Sequence, residues 1–234
     1  MPSDLEWGYW LVDWSIARWS WRYLRNGREQ ATTPLSCLND LLPDPALQRL
    51  WQRALLLQNR YLKDRELLRY LAAATPFSEL PHPFKLPFQP EPPFSHRWLQ
   101  RRATADEAQQ VVSGPVADLE QYADSMSTIT DQLQRRIAQL IAGGSFNRAR
   151  LQLANELTTG LQVTALRARH RALTLRSLAV ERHELLGGAV TAQQHLHQAR
   201  LIRHQAQLLV NRQEQQYRYP PELLARQRSS LTAY

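Results

Sequence analysis

The sequence is short of several residue types, and each shortage narrows the class of protein it can encode. It contains one cysteine, Cys37, in 234 residues, so no intramolecular disulfide can form and a lone thiol is not a metal site. Only eight glycines are present, whereas leucine, alanine, glutamine and arginine, which are strong helix formers, are abundant. The composition predicts an all-α protein in a reducing compartment.

Long apolar runs and an export signal are also absent. No uninterrupted apolar stretch approaches the roughly 20 residues that a membrane-spanning helix needs. The opening residues MPSDLE lack the positive charge and the small-residue cleavage site of a signal peptide. The expected location is therefore the cytoplasm.

Recognisable catalytic motifs are missing as well. The sequence has neither a Gly-rich phosphate loop, a G-x-S-x-G turn nor an H-E-x-x-H pair. Five of the seven histidines fall between residues 170 and 204, but metal sites in helical bundles use Glu-x-x-His repeats with further inward glutamates. The last long helix has no acidic residue before Glu214. We expect no catalysis and no cofactor, and we infer no small-molecule substrate.

What the sequence does contain is a series of helical segments separated by prolines and glycines. An N-terminal helical region with a Pro-Phe-rich extended strap precedes a C-terminal antiparallel long-helix hairpin or three-helix bundle. Asp44 and Pro45 predict the start of a helix that continues to Pro76, and a shorter helix is predicted at about 103–112. The predicted parts are a Trp-rich helical region at 1–74, the strap at 75–102, the bundle at 103–218 and a tail at 219–234.

The segment EWGYWLVDWSIARWSWRYL, residues 6–24, holds five of the seven tryptophans. At the helical period its apolar residues fall on two opposite faces, which is typical of a helix sandwiched between two layers. One face is expected to pack on the protein's own core. The opposite face has three alternatives: another part of this chain, a partner protein or a membrane surface. Because tryptophan often anchors interfaces, the interface candidates here are Trp7, Trp10, Trp14, Trp19 and Trp21.

Residues 75–94, TPFSELPHPFKLPFQPEPPF, contain the dipeptide Pro-Phe four times. So much proline excludes a helix and favours extended or polyproline II chain. The favoured interpretation is a strap laid on the protein's own helices, and the alternative is a ligand for a proline-recognising groove. Phe84 and Phe88 are the contact candidates in either case.

Three long helices are predicted after this strap, at about 113–142, 146–186 and 189–217. Gly143-Gly144 and Gly187-Gly188 mark the turns between them. Alanines at heptad-like spacing in the second and third helices let helix axes approach closely, so a thin hairpin is expected. In the second long helix the predicted seam consists of Ala154, Leu157, Leu161, Ala165, Ala168, Ala172, Leu175 and Ala179. In the third it consists of Ala192, Ala199, Ile202, Ala206 and Leu209.

The net charge of +8 is unevenly distributed. Residues 145–234 contain 13 arginines and 5 glutamates, which accounts for the whole excess, and the rest of the chain is balanced. Such asymmetry is typical of proteins that bind nucleic acid or another anionic surface, although flanking arginines also cover the seams of coiled coils. The anion-binding candidates are Arg167, Arg169, Arg171, Arg176 and Arg182.

Taken together, these features favour a non-enzymatic interaction or scaffold subunit of a bacterial protein assembly. It would bind a protein partner, or itself, through the Trp-rich helix and the long hairpin. The alternative is a nucleic-acid-binding accessory protein that uses the Arg-rich hairpin. A second alternative is attachment to a membrane surface through the Trp-rich helix.

Overall fold

The computed structural model describes residues 44–72, 96–101, 103–144, 148–183 and 188–214. This part of the chain is almost entirely helical and holds no strand, which confirms the predicted all-α class. The interface candidates Trp7, Trp10, Trp14, Trp19, Trp21, Phe84 and Phe88 lie outside the described residues, as does the tail at 219–234. The helices are α1 (Pro45–Gln58), α2 (Leu67–Ala72), α3 (His96–Arg101), α4 (Ala105–Val111), α5 (Ala117–Ala142), α6 (Arg148–His183) and α7 (Gly188–Glu214).

The start of α1 is the one predicted from the sequence. The Asp44 carboxylate accepts a hydrogen bond from the backbone N–H of Leu47 at 2.8 Å, and Pro45 occupies the first turn. Proline is tolerated there because its missing N–H would have no partner within the helix in any case.

The predicted single helix from Pro45 to Pro76 is wrong in its second half. A π-helical segment, Asn59–Asp64, follows α1, and the chain then breaks at Glu66, whose φ of 55° is left-handed. Tyr61 before the break and Leu67 after it are both buried. Tyr61 packs against the buried Tyr122 of α5 with ring centroids 5.9 Å apart, and burial raises the pKa of Tyr122 to about 12. The break therefore serves packing against α5, which local periodicity does not encode.

A second π-helical segment, Val112–Val116, joins α4 to α5 without interruption. This corrects the expectation that Ser113-Gly114-Pro115 begins a new helix. Pro115 has no N–H to donate, and the wider π turn accommodates it inside the helix. The Ser113 hydroxyl donates to the carbonyl oxygen of Gln109 at 2.9 Å, so a side chain supplies one of the bonds at this turn.

The long helices run alternately up and down, each antiparallel to the one before it. Arg65, just after the first π segment, forms an ion pair with Asp118 near the start of α5. Asp44, before the first turn of α1, forms one with Arg136 near the end of α5, so α1 and α5 run in opposite directions. Helix α6 lies in the middle: it packs along α5 and α7 and also contacts α2, α3 and α4. Among the described helices, α7 packs chiefly on α6 and forms an edge of the bundle.

One apolar core connects α1 through α6, and most of the predicted seam of α6 belongs to it. Leu157 is an exception, because it is only partly buried. The fully buried members of that seam are Ala154, Ala165, Ala168, Ala172, Leu175 and Ala179.

The contact between α6 and α7 uses a different face of α6 from the predicted alanine seam. The buried Ser177 hydroxyl donates to the carbonyl oxygen of Ala192 at 2.9 Å and fixes the antiparallel register. Leu166 and His170 of α6 also lie next to α7. At the helical period these two residues and Ser177 share one face, about 140° around the helix from Ala165, Ala172 and Ala179. The three alanines belong to the apolar core of α1 to α6, whereas the buried Ala192 and Ala199 of α7 lie outside that core. The expectation that the alanines of α6 pack on α7 is therefore wrong: they face the common core.

Candidate interaction surface

Two of the five predicted anion-binding arginines form ion pairs within the chain. Arg176 binds Glu120 of α5 through two bonds, with Nη2 2.7 Å from Oε2 and Nε 3.1 Å from Oε1. Arg169 forms an ion pair with Asp124, one turn further along α5. These guanidinium groups therefore join α6 to α5.

A third candidate, Arg171, is buried, with 1% of its surface exposed. Its Nε donates to the carbonyl oxygen of Tyr70 in α2 at 2.9 Å, so it ties the short helix α2 to the middle of α6. Burial lowers the pKa of Arg171 to about 10, which still leaves the guanidinium charged at neutral pH. Of the remaining two candidates, Arg167 is exposed on α6 and Arg182 lies in the last turn of that helix.

The neighbouring His170 lies between positive charges. Its pKa is lowered to about 4, first by burial and then by the charges of Arg203, Arg171 and Arg167. It is therefore neutral at physiological pH. Arg203 belongs to α7, so the structure brings that helix close enough for its charge to act on His170.

Polar side chains of α5, α6 and α7 lie near one another at one end of the bundle: Glu120, Arg176 and His195. His195 of α7 lies close to the Glu120–Arg176 pair: burial and then the charge of Arg176 lower its pKa, and Glu120 partly offsets them. In the described ranges, no group of three or more His, Cys, Asp or Glu side chains is arranged to hold a metal ion. His195 Nδ1 is buried and has no hydrogen-bond partner among the described residues, so the charges of Glu120 and Arg176 act on the ring without a hydrogen bond to that nitrogen.

The side of α7 that faces away from α6 carries a row of exposed apolar side chains. Val190, Leu201 and Leu208 are 68%, 53% and 54% exposed. They are eleven and seven residues apart, which is close to three and two whole helical turns, so all three lie on one side of the helix. Between them the same stripe exposes Gln194, His197 and His204. We call these six residues the outer row; it lies opposite the buried Ala192 and Ala199 of α7.

A cleft adjoins the outer row near the C-terminal end of α7. It has a volume of about 340 Å³ and opens to solvent. Leu208 lines the cleft and also belongs to the outer row, so the two form one continuous surface. The other lining residues are Leu166 of α6 and Gln205, Leu209 and Arg212 of α7.

The charge of this surface has one sign. From Gly188 to Gln213 the sequence of α7 contains no aspartate or glutamate. Arg200 and Arg212 are exposed on either flank of the outer row, and neither forms an ion pair within the part of the chain that the structure describes. The surface is therefore an apolar row bordered by arginine.

Sequence reasoning missed this surface although its signal was present. The row through Ala192, Ala199, Ile202, Ala206 and Leu209 was assigned to the contact with the preceding helix. Val190, His197, Leu201 and Leu208, at spacings of seven, four and seven, mark a second stripe on the opposite side of the helix. Two such stripes on one helix indicate two contacts, and the described structure accounts for one of them.

None of the described helices combines the length and the apolar character that crossing a bilayer requires. Comparisons with family models, with curated proteins and with solved structures return no significant match to this chain.

Proposed function

We propose that this chain is a non-enzymatic interaction or scaffold subunit of a cytoplasmic protein assembly. It binds a protein partner through the outer row of α7 and the adjoining cleft, together with the Trp-rich helix predicted near its N-terminus. The observation that carries this proposal is the alignment of Val190, Leu201 and Leu208, each more than half exposed, on one stripe. A second helix packed on this stripe would continue the bundle as a coiled-coil contact.

Isolated exposed leucines are common on protein surfaces and need no explanation. Three that share a stripe, and of which one also lines a cleft, are a stronger signal, because exposed apolar side chains rimmed by polar ones mark interaction sites. A partner helix laid on α7 would cover them. The stripe spans 18 residues from Val190 to Leu208, or about 27 Å of helix, which is long enough for a specific helix–helix contact.

The nucleic-acid alternative is supported less well by the described contacts. Arg169 and Arg176 already bind carboxylates of α5, and Arg171 is buried. Helix α7 contains no aromatic residue on which a base could stack. The exposed arginines of α7 flank leucines, an arrangement that suits a protein surface better than a phosphate backbone.

The test is affinity purification of the tagged full chain from its native host, with nuclease treatment and moderate salt. Three forms are compared: the unmodified chain, the double variant Leu201→Asp/Leu208→Asp, and Leu56→Asp. Leu56 is 61% exposed on α1, so its substitution is a matched control on another surface. We expect a stoichiometric protein partner with the unmodified chain and the control, and its loss with the double variant.

Circular dichroism and thermal unfolding would establish that all three forms fold equally well. A monodisperse monomer without any co-purifying protein contradicts the proposal. A partner retained by the double variant but lost on replacing Trp10, Trp14 and Trp21 by serine would move the contact from α7 to the Trp-rich helix. Recovery of nucleic acid alone, when nuclease is omitted, would favour the Arg-rich alternative.

A further inference from the structure

We infer that the partner of the outer row is an acidic amphipathic helix, whose apolar stripe covers Val190, Leu201 and Leu208 and whose carboxylates meet Arg200 and Arg212. This inference rests on the proposed function and adds the chemistry of the partner.

The argument begins with charge. The outer row is flanked by Arg200 on one side and Arg212 on the other, and α7 offers no acidic residue before Glu214 to neutralise them. In helix pairs, the residues that flank the apolar stripe select the partner, because opposite charges attract across the seam and like charges repel. A partner that binds here therefore has acidic flanking positions.

The same argument disfavours a second copy of this chain. Two α7 helices laid against each other would bring arginines together without any aspartate or glutamate between Gly188 and Gln213 to pair with them. Like-charge contacts of this kind reduce affinity in coiled-coil pairs. The sign of the charge thus favours a different protein over self-association.

The cleft refines the position of the partner. Leu166, Leu208 and Leu209 line it with apolar surface, and Arg212 lies at the same opening. A volume of about 340 Å³ accommodates a large apolar side chain such as leucine or phenylalanine. A carboxylate one helical turn from that side chain would reach the Arg212 guanidinium and bind it through two parallel bonds. The partner helix thus carries a large apolar residue and an acidic residue three or four positions apart.

The test measures binding of a defined probe to the purified full chain. The probe is a fluorescein-labelled peptide of three heptads with leucine at the first and fourth positions of each heptad and glutamate at the flanking positions. A second peptide replaces every glutamate by lysine. Fluorescence anisotropy is recorded for the unmodified chain, for Arg200→Glu/Arg212→Glu, for Leu201→Asp and for Arg49→Glu, which changes an exposed arginine on α1.

We expect the acidic peptide to bind at least roughly tenfold more tightly than the basic one, a difference of about 1.4 kcal/mol. Arg200→Glu/Arg212→Glu should reverse this preference, Leu201→Asp should abolish binding of both peptides, and Arg49→Glu should leave the affinity within about twofold. Reversal of preference is a readout that a general loss of folding cannot produce.

Equal binding of the two peptides, or an unchanged preference in the double arginine variant, would overturn the inference and leave the proposed function intact. Failure of both peptides to bind, while the native partner is still captured through Leu201 and Leu208, would also overturn the inference about an acidic partner and leave the proposed function intact. Direct binding of labelled duplex DNA or of phosphatidylserine vesicles to the unmodified chain that persists in Leu201→Asp and is lost in Arg200→Glu/Arg212→Glu would show a general anion-binding surface and also overturn the inference.

Discussion

Asp44 and Arg136 lie 92 positions apart in the sequence and form a two-point ion pair, with Nη2 2.7 Å from Oδ2 and Nε 3.2 Å from Oδ1. The same carboxylate caps the N-terminus of α1 through the N–H of Leu47. One side chain therefore both begins α1 and attaches it to α5. The hydrogen bond from Arg136, followed by the bond from Leu47, lowers the pKa of Asp44 against the opposing effect of burial.

Replacing Asp44 should separate its two roles. Asp44→Asn keeps a capping oxygen and loses the ion pair, whereas Asp44→Ala loses both, so the alanine variant should be less stable than the asparagine variant by about 1 kcal/mol. Because the pKa is lowered in the fold, the carboxylate's contribution is complete above its ordinary pKa of 3.8 and is lost as pH falls below that value. Urea unfolding of both variants at neutral pH checks the order, and equal stabilities would contradict the capping role.

Two glycines should respond in opposite directions to alanine. Gly144 follows α5 with a φ of 63°, which alanine adopts only with strain, so Gly144→Ala should destabilise the protein by about 1 kcal/mol. Gly114 lies inside the second π segment, and a Cβ there meets no atom within 4 Å. Gly114→Ala should therefore stabilise by about 0.5–1 kcal/mol through helix propensity. Thermal unfolding measures both; a loss of stability in Gly114→Ala would show that the π turn needs glycine.

The buried alanines of α7 should tolerate no larger residue. Ala199 is 3% exposed and shares one face of α7 with Ala192, whose carbonyl oxygen accepts from Ser177, so Ala199→Leu forces α6 and α7 apart and should cost about 1–3 kcal/mol. The matched control is Gln198→Leu, at an exposed position of α7, which should change the free energy of unfolding by less than about 0.5 kcal/mol. Similar effects of the two substitutions in denaturant unfolding would refute close packing of the hairpin.

His170 should make the fold sensitive to mild acid. Its pKa of about 4 in the fold lies below the ordinary value of 6.5, so the unfolded chain binds the proton more tightly and stability falls as pH drops from 6.5 toward 4. Between pH 7 and 5 the loss should be about 1–2 kcal/mol, allowing for partial exposure of the ring. His170→Asn should remove this part of the pH dependence. Urea unfolding at a series of pH values tests it, and identical slopes for both proteins would count against a buried neutral His170.

Much of the architecture was predictable from local signals. Asp44 with Pro45 marks a helix start, and Gly143-Gly144 marks a turn, because capping and left-handed backbone depend on the residues at that point. The burial of Ala165, Ala172 and Ala179 was predictable because heptad spacing places them on one face of α6, whereas the helices that cover that face were not.

The remaining features depend on distant contacts. The π segment at Asn59–Asp64 follows from the packing of Tyr61 on Tyr122, two residues that no local pattern connects. Arg171 occupies a flanking position that normally faces solvent, and it is buried because α2 crosses α6 and offers the Tyr70 carbonyl. The outer row of α7 could have been found from spacing alone, but its exposure follows from the position of α7 at an edge of the described helices.

The edge position of α7 also has a consequence for hydrogen exchange. Among the described helices its main support is α6, and alanines bury less apolar surface per residue than the leucines of α5. Opening of α7 away from the bundle therefore requires less free energy than global unfolding, and its amide protons should exchange through this partial opening before those of α5 and α6. A partner bound to the outer row would contact α7 on its second side and make this opening less favourable. Binding should therefore slow amide hydrogen exchange along the whole of α7.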